Sequence, residues 1–141
     1  MDGGLRKILP SHLSKFHWQA IETGGTGRGI PDMNFCFGGI EGWVENKLTT
    51  ADAVNLSPEQ VGWIERRCRA GGRVFIGVRR LCKAGPRRVA KDEFHLYPGV
   101  AARELKVLGL SRIASAKRLG LWAGGPAKWD WNAIAAALTR R

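Results

Sequence analysis

The chain has 141 residues, 44% of them hydrophobic, which suits one folded domain and leaves little room for a second. No apolar run approaches the roughly 18 residues a bilayer crossing requires, and Met1-Asp2-Gly3-Gly4-Leu5-Arg6-Lys7 has no apolar stretch behind its charges, so a cytoplasmic protein is expected. Lys and Arg number 23 against 12 Asp and Glu, a net charge of +11, which calls for a polyanionic partner and is met most often by DNA or RNA, though a membrane surface or ribosomal RNA would also serve.

The three cysteines, Cys36, Cys68 and Cys82, form no C-x-x-C pair, and an odd count argues against a disulfide framework. Cys36 and Cys68 have apolar neighbours and read as buried, reduced thiols; a structural zinc site is not expected.

In chain order, Leu13, Phe16 and Ala20 recur at helical spacing and predict an amphipathic helix from Ser11, its cap, to Glu22. The glycine-rich stretch Thr23-Gly24-Gly25-Thr26-Gly27-Arg28-Gly29 follows. No Lys-Ser/Thr pair comes after it and no strand precedes it, so a Walker-type phosphate loop is excluded. Ile30 to Phe37 and Gly42 to Leu48 are two β-prone runs joined around Gly38-Gly39, which reads as a β-hairpin. Side chains alternate along a strand, so Trp43, Glu45 and Lys47 share one face of the second run.

The next helix carries clear start and stop signals. Ser57 suits the N-cap, Pro58 the first helical position and Gln60 the third, forming a capping box. Val61, Ile64 and Cys68 line one side with Trp63 beside them, and Gly71-Gly72 ends the helix. Arg73 to Arg79 is a strand with an apolar centre, Arg79 to Arg88 a basic turn, and Phe94 to Tyr97 a short strand closed by Pro98-Gly99. Helical patterns return at Val100 to Leu108, Ser111 to Leu119 and, after a loop with Trp and Gly, Trp131 to Leu138. The predicted order is α-β-β-α-β-β-α-α in one mixed α/β domain.

Pro31-Asp32, twelve residues, then Glu45-Asn46-Lys47 is the arrangement that carries chemistry. An Asp at the start of one strand and a Glu on its hairpin partner can converge on one point. Carboxylates that close repel unless a cation lies between them, and Mg²⁺ is held by such a pair completed with waters and phosphate oxygens. Lys47, on the same side, can orient or deprotonate a water or offset charge on a phosphoryl transition state. The same residues also admit a plainer reading, since Asp after Pro is common in turns and Glu-x-Lys pairs are often simply solvated.

Gly29-Ile30-Pro31-Asp32, Gly42-Trp43-Val44-Glu45-Asn46-Lys47, Leu56-Ser57-Pro58-Glu59-Gln60 and Ala70-Gly71-Gly72-Arg73-Val74 occur in that order. This run, over roughly residues 11 to 97, resembles the restriction-endonuclease-like PD-(D/E)XK nuclease superfamily. It is most similar to the virus-type replication-repair nucleases (VRR-NUC) and phage Holliday-junction-resolvase-like proteins. The resemblance implies an α/β core with a mixed sheet of about four strands flanked by helices over residues 1–98, and a helical extension over residues 99–141 that packs on the core or makes a dimer contact.

It also implies roles. Asp32 and Glu45 match the metal-binding carboxylates, Lys47 the catalytic lysine, and the Asn46 backbone carbonyl a further metal ligand. Glu22 is positioned like an extra acidic residue of many members, where the residues alone also allow a solvated helix end. Gln60 matches a glutamine near the active site and fits the capping box equally well. The implied reaction is Mg²⁺-dependent hydrolysis of DNA, with Mn²⁺ as substitute, by attack of metal-bound water, on branched DNA such as Holliday junctions. A homodimer in a bacterial or phage-infected cell is implied with it. Other readings are a nicking, flap or restriction-type nuclease, and a non-catalytic nucleic-acid-binding module on the same fold. The segment Thr49 to Asn55 is short for a junction enzyme, so substrate reading is expected elsewhere.

Arg66, Arg67, Arg69, Arg73, Arg79, Arg80, Lys83, Arg87, Arg88 and Lys91 crowd the middle third and read as a nucleic-acid-contacting surface, with Arg28, Arg66, Arg73, Arg79, Arg80, Lys83, Arg87 and Arg88 as the candidate contacts. Trp122, Trp129 and Trp131 are expected to pack or to serve a dimer contact rather than stack on bases. His12, His17 and His95 show no ligand spacing and read as surface or half-buried histidines.

Overall fold

Alternation along one strand, Ile40–Thr49, sorts its side chains onto two faces, and a different pair of helices buries each face. A computed structural model describes residues 1–22 and 27–141; residues 23–26 of the glycine-rich stretch lie outside the described residues. The elements are α1 (Leu5–His12), β1 (His17–Ala20), β2 (Met33–Phe37), β3 (Ile40–Thr49), α2 (Pro58–Arg69), β4 (Val74–Cys82), β5 (Lys91–Pro98), α3 (Ala102–Arg112), β6 (Gly120–Trp122) and α4 (Trp131–Thr139). Among the described residues, six strands pair in chain order in one sheet. Of these pairs β3–β4 is parallel, because α2 carries the chain back between them, and the others are antiparallel.

One face packs Val44, Met33, Phe35, Phe75, Phe94 and Leu96 against Leu5, Leu9, Trp129, Ile134 and Leu138 of the α1 and α4 side. The other packs Ile76, Val78 and Tyr97 against Val61 and Ile64 of α2 and Leu105 and Leu110 of α3. The α/β class expected from the sequence is the one observed, with six strands where about four were expected. Residues 99–141 contribute to both apolar clusters and are not wholly helical, since Gly120–Trp122 pairs with β5. Trp129 is buried, Trp122 and Trp131 pack against its cluster, and the three cysteines are free and half-buried.

The helix expected over Ser11 to Glu22 is absent. The first helix is instead α1, Leu5–His12, where the Asp2 carboxylate accepts hydrogen bonds from the Gly4 (2.9 Å) and Arg6 (3.1 Å) backbone N–H groups and Leu5 and Leu9 bury one face. Ser11 does not cap it; its hydroxyl donates to the Ile8 carbonyl in the last turn. His17–Ala20 is instead a strand, paired residue by residue with Met33–Cys36. By contrast, α2 matches expectation closely. The Ser57 hydroxyl accepts from the Gln60 N–H, the Gln60 side chain accepts from the Ser57 N–H, and Gly71 follows the last turn with φ of 90°.

Arg79 locks the N-terminus to the sheet. Its guanidinium donates to both carboxylate oxygens of Asp92 at 2.9 and 2.8 Å and to the Gly3 carbonyl at 2.7 Å, and it lies 5.7 Å from the Trp129 ring centre. Charge-assisted, two-pronged pairing of this kind is well above the worth of a solvated pair. Arg79→Ala is expected to lower unfolding free energy by about 3 kcal/mol in urea denaturation; a loss below about 1 kcal/mol would show that the pair is only a surface contact.

Candidate active site

The hairpin register brings the chemistry together. Met33 pairs with Val44 and Asn34 with Trp43. Asp32, the residue just before β2, sits beside β3, where Asn46 holds its carboxylate and its charge is felt by Glu45. The turn that delivers Asp32 passes tightly over the start of α2. Gly29 has φ of +87°, and a Cβ there would fall 2.2 Å from the Glu59 carbonyl oxygen, so only glycine fits.

Asn46 fixes the Asp32 carboxylate, its backbone N–H donating to Oδ1 at 3.0 Å and its side-chain amide to Oδ2 at 3.3 Å. Glu45 is 4% exposed. Its Oε2 lies 3.6 Å from the Lys47 Nζ and accepts from the Gln60 amide at 3.3 Å. The Gln60 oxygen closes the capping box, which leaves its NH₂ aimed at Glu45. Asp32, Glu45, Asn46, Lys47 and Gln60 line one open cavity of about 360 Å³ together with Met1, Asp2 and Arg6.

Burial is the main reason that both carboxyls are hard to ionise. Glu45 is pushed up to about 7, by desolvation first and then by the Asp32 charge, with Lys47 pulling it partway back. Desolvation also holds Asp32 above its ordinary value, against the hydrogen bonds from Asn46 that lower it. A hard divalent cation suits this donor set, since its charge would compensate both carboxylates at once and its preference is for oxygen. Among the described residues no third His, Cys, Asp or Glu joins the pair.

Glu22 does not line the cavity. It follows β1 rather than ending a helix, its side chain is 85% exposed, and its nearest cationic partner is Arg6 at 3.7 Å. Arg6 is what the sequence reading missed, and Asp2 with it. Asp2 as a cap ahead of Leu5 and Leu9 was the available signal, since it would have started the helix early enough to carry Arg6 to the site.

The candidate nucleic-acid contacts separate into an exposed group, a pair engaged within the fold, and Arg80, which is half-buried. Arg28, Arg66, Lys83, Arg87 and Arg88 are exposed. Arg73 and Arg79 are engaged within the fold, Arg73 donating to the Leu138 (2.9 Å) and Arg140 (2.7 Å) carbonyls and lying over Phe75. Arg80, Arg87, Arg88 and Lys91 line a cavity of about 420 Å³ that opens at Thr50 and Ala51, just past the end of β3. His95 is buried rather than at the surface, with Nε2 3.0 Å from Glu93 Oε1, and burial lowers its pKa.

No protein-family model matches the chain, and no curated protein matches it. Among solved structures the chain is similar to Hjc, a Holliday junction resolvase of the hyperthermophilic archaeon Archaeoglobus fulgidus, at 18% identity over 67% of this chain and 74% of that one, with a TM-score of 0.48. At that score the likeness in shape is partial, and the functional reading rests on the geometry of the cavity. Among the described residues, no helix is long and apolar enough to cross a membrane.

A carboxyl whose folded pKa exceeds its unfolded value stabilises the fold below the unfolded pKa and loses that contribution as pH rises through the folded one. For Glu45 the window runs from 4.5 to about 7. The metal-free protein is expected to lose stability across it, on the order of 3 kcal/mol from this group. Thermal unfolding of Glu45→Gln should show a flatter profile over the same range. An equally steep decline in the variant would place the titration elsewhere.

Proposed function

We propose that the chain is a divalent-metal-dependent endonuclease that hydrolyses DNA phosphodiester bonds. The observation that carries this reading is the convergence of Asp32, Glu45 and Lys47 on one open cavity at the end of a hairpin, in a strongly basic chain. Asp32 and Glu45, with the Asn46 backbone carbonyl, would hold Mg²⁺, or Mn²⁺ in its place. A cation there supplies Lewis-acid stabilisation to charge on the scissile phosphate.

The chain's own residues do the rest. Glu45 and Asp32 are already desolvated and oriented, by Gln60 and Asn46 respectively, so little reorganisation is left to pay for when substrate arrives. Lys47, 17% exposed and held beside Glu45, presents an ammonium to the developing negative charge and can steer the attacking water. Arg6 adds a second cation on the cavity wall and can meet a non-bridging phosphate oxygen. The basic cavity past β3 supplies backbone contacts away from the cut.

Branched DNA such as a Holliday junction is the proposed substrate. Symmetric cutting of a four-way junction needs two active sites, and therefore two copies of this chain.

The test uses labelled four-way junction, flap, duplex and single-stranded DNA with Mg²⁺, Mn²⁺ or EDTA. Metal-dependent cleavage is expected, strongest on the junction, with Asp32→Ala and Lys47→Ala each losing at least about 100-fold in rate while binding persists. Glu22→Ala is expected to cleave within about threefold of wild type, because Glu22 faces Arg6 rather than the carboxylates; a loss comparable to that of Asp32→Ala would restore it to the metal site. Tight DNA binding without cleavage by the wild type, on every substrate and metal, would replace the nuclease with a binding module.

A further inference from the structure

The sheet is wider than the helix that covers it on the active-site side. α2 lies over β3 and β4, and on that side Gln19 of β1 is exposed while Asn34 of β2 and Trp43 of β3 are only half-buried. These residues form the floor of a groove of about 410 Å³, walled by Arg67 and Arg73. Trp43 shares its strand face with Glu45 two residues on, about 7 Å away along the strand. The groove thus lies on the same sheet face as Glu45, beside the active-site cavity, with which it shares no lining residue.

Arg67 is the unusual element of this wall. Its guanidinium carbon lies 4.6 Å from the Trp63 ring centre and 5.3 Å from that of Trp43, over two indoles set edge to face. Its stem passes so close to Gly72 that a Cβ there would fall 2.4 Å from Cδ. Among the described residues no carboxylate pairs with it; the nearby α2 acid, Glu65, is engaged by Arg103. The one acid lining the groove is Glu41, which is exposed at its rim. A cation packed on two aromatic faces, with its rotamers restricted and its donors unspent, is preorganised for an anion.

We propose that Arg67 is a phosphate-binding station for one strand of the nucleic-acid substrate, and that the strand runs from the active-site cavity along the groove over Trp43. The assignment rests on the nuclease reading for which phosphate lies at Glu45 and Lys47. The groove floor carries the Gln19 and Asn34 amides, whose NH₂ groups donate to the Ala20 and Gly42 carbonyls, beside the half-buried Trp43 indole. Arg67 thereby acts as a binding and positioning residue, set to hold the strand beside the cut.

The test measures binding of a labelled single-stranded oligodeoxynucleotide, and of a four-way junction, by anisotropy in EDTA across a salt series. Wild type is compared with Arg67→Ala, Arg67→Lys and the charge-matched Lys128→Ala, which lies on the other side of the sheet. Arg67→Ala is expected to weaken binding about tenfold and to reduce the slope of log affinity against log salt by about 1. Arg67→Lys is expected to recover the slope but not the full affinity, because an ammonium lacks the planar stack on the indoles. Lys128→Ala should bind within about twofold of wild type. An equal loss in Arg67→Ala and Lys128→Ala would reduce the effect to net charge and overturn the proposal, as would an Arg67→Ala protein that binds like wild type. Because the readout needs no cleavage, a protein that binds through Arg67 but never cuts leaves this station standing and removes the nuclease; one that cuts while ignoring Arg67 does the reverse.

Discussion

Two carboxylates held close together beside a hairpin, Glu45 buried and Asp32 half-buried, repel each other and resist ionisation. That constraint organises the rest of the molecule. Burial first, and the Asp32 charge after it, push Glu45 up to about 7, and a pair of carboxylates whose charge is only partly compensated does little for stability. The surrounding hydrogen bonds, from Asn46 to Asp32 and from Gln60 to Glu45, favour the ionised forms and so oppose the desolvation. What remains uncompensated is a demand for positive charge at one point, which Lys47 meets in part and a divalent cation would meet in full.

The scaffold can be read as the means of keeping that pair in register. The hairpin, with the Asn46 hydrogen bonds, holds Asp32 beside β3, and the parallel β3–β4 ladder anchors β3 in a sheet with an apolar cluster on each face. The capping box does double service, starting α2 and aiming the Gln60 amide. On the opposite side, Arg79 ties Gly3 to Asp92 and Trp129, so residues of the C-terminal third help to hold the N-terminal turn whose Arg6 lines the cavity. Residues 99–141 are in this sense part of the support for the site.

Much of this was legible in the sequence where the signal is local. The hairpin glycines and the Ser57–Gln60 box each depend on residues within a few positions of one another, and the Asp32 to Glu45 spacing spans no more than one hairpin. Non-local partners decided what was misread. Leu13, Phe16 and Ala20 fit a helical period, yet His17–Ala20 is a strand because β2 offers it a ladder, with Phe16 and Trp18 turned into the apolar cluster. Gly120–Trp122 is too short to announce itself and exists only as an edge to β5. Arg73 and Arg79 looked like phosphate contacts because charge is visible in a sequence and its partner is not; theirs are Leu138 and Arg140 at the C-terminus and Asp92 on the neighbouring strand.

The central claim is that Asp32 and Glu45 together form a cation site whose occupation completes the ionisation of Glu45. Calorimetric titration of the metal-free protein with Mn²⁺, repeated near pH 6.5 in buffers of different ionisation enthalpy, tests it most directly. Binding is predicted to release a substantial fraction of a proton, since a Glu45 carboxyl of pKa about 7 must give one up. Asp32→Asn should abolish the binding, and Glu45→Gln the proton release. Mn²⁺ binding without proton release, or binding that survives in Asp32→Asn, would contradict the account and move the metal away from this pair.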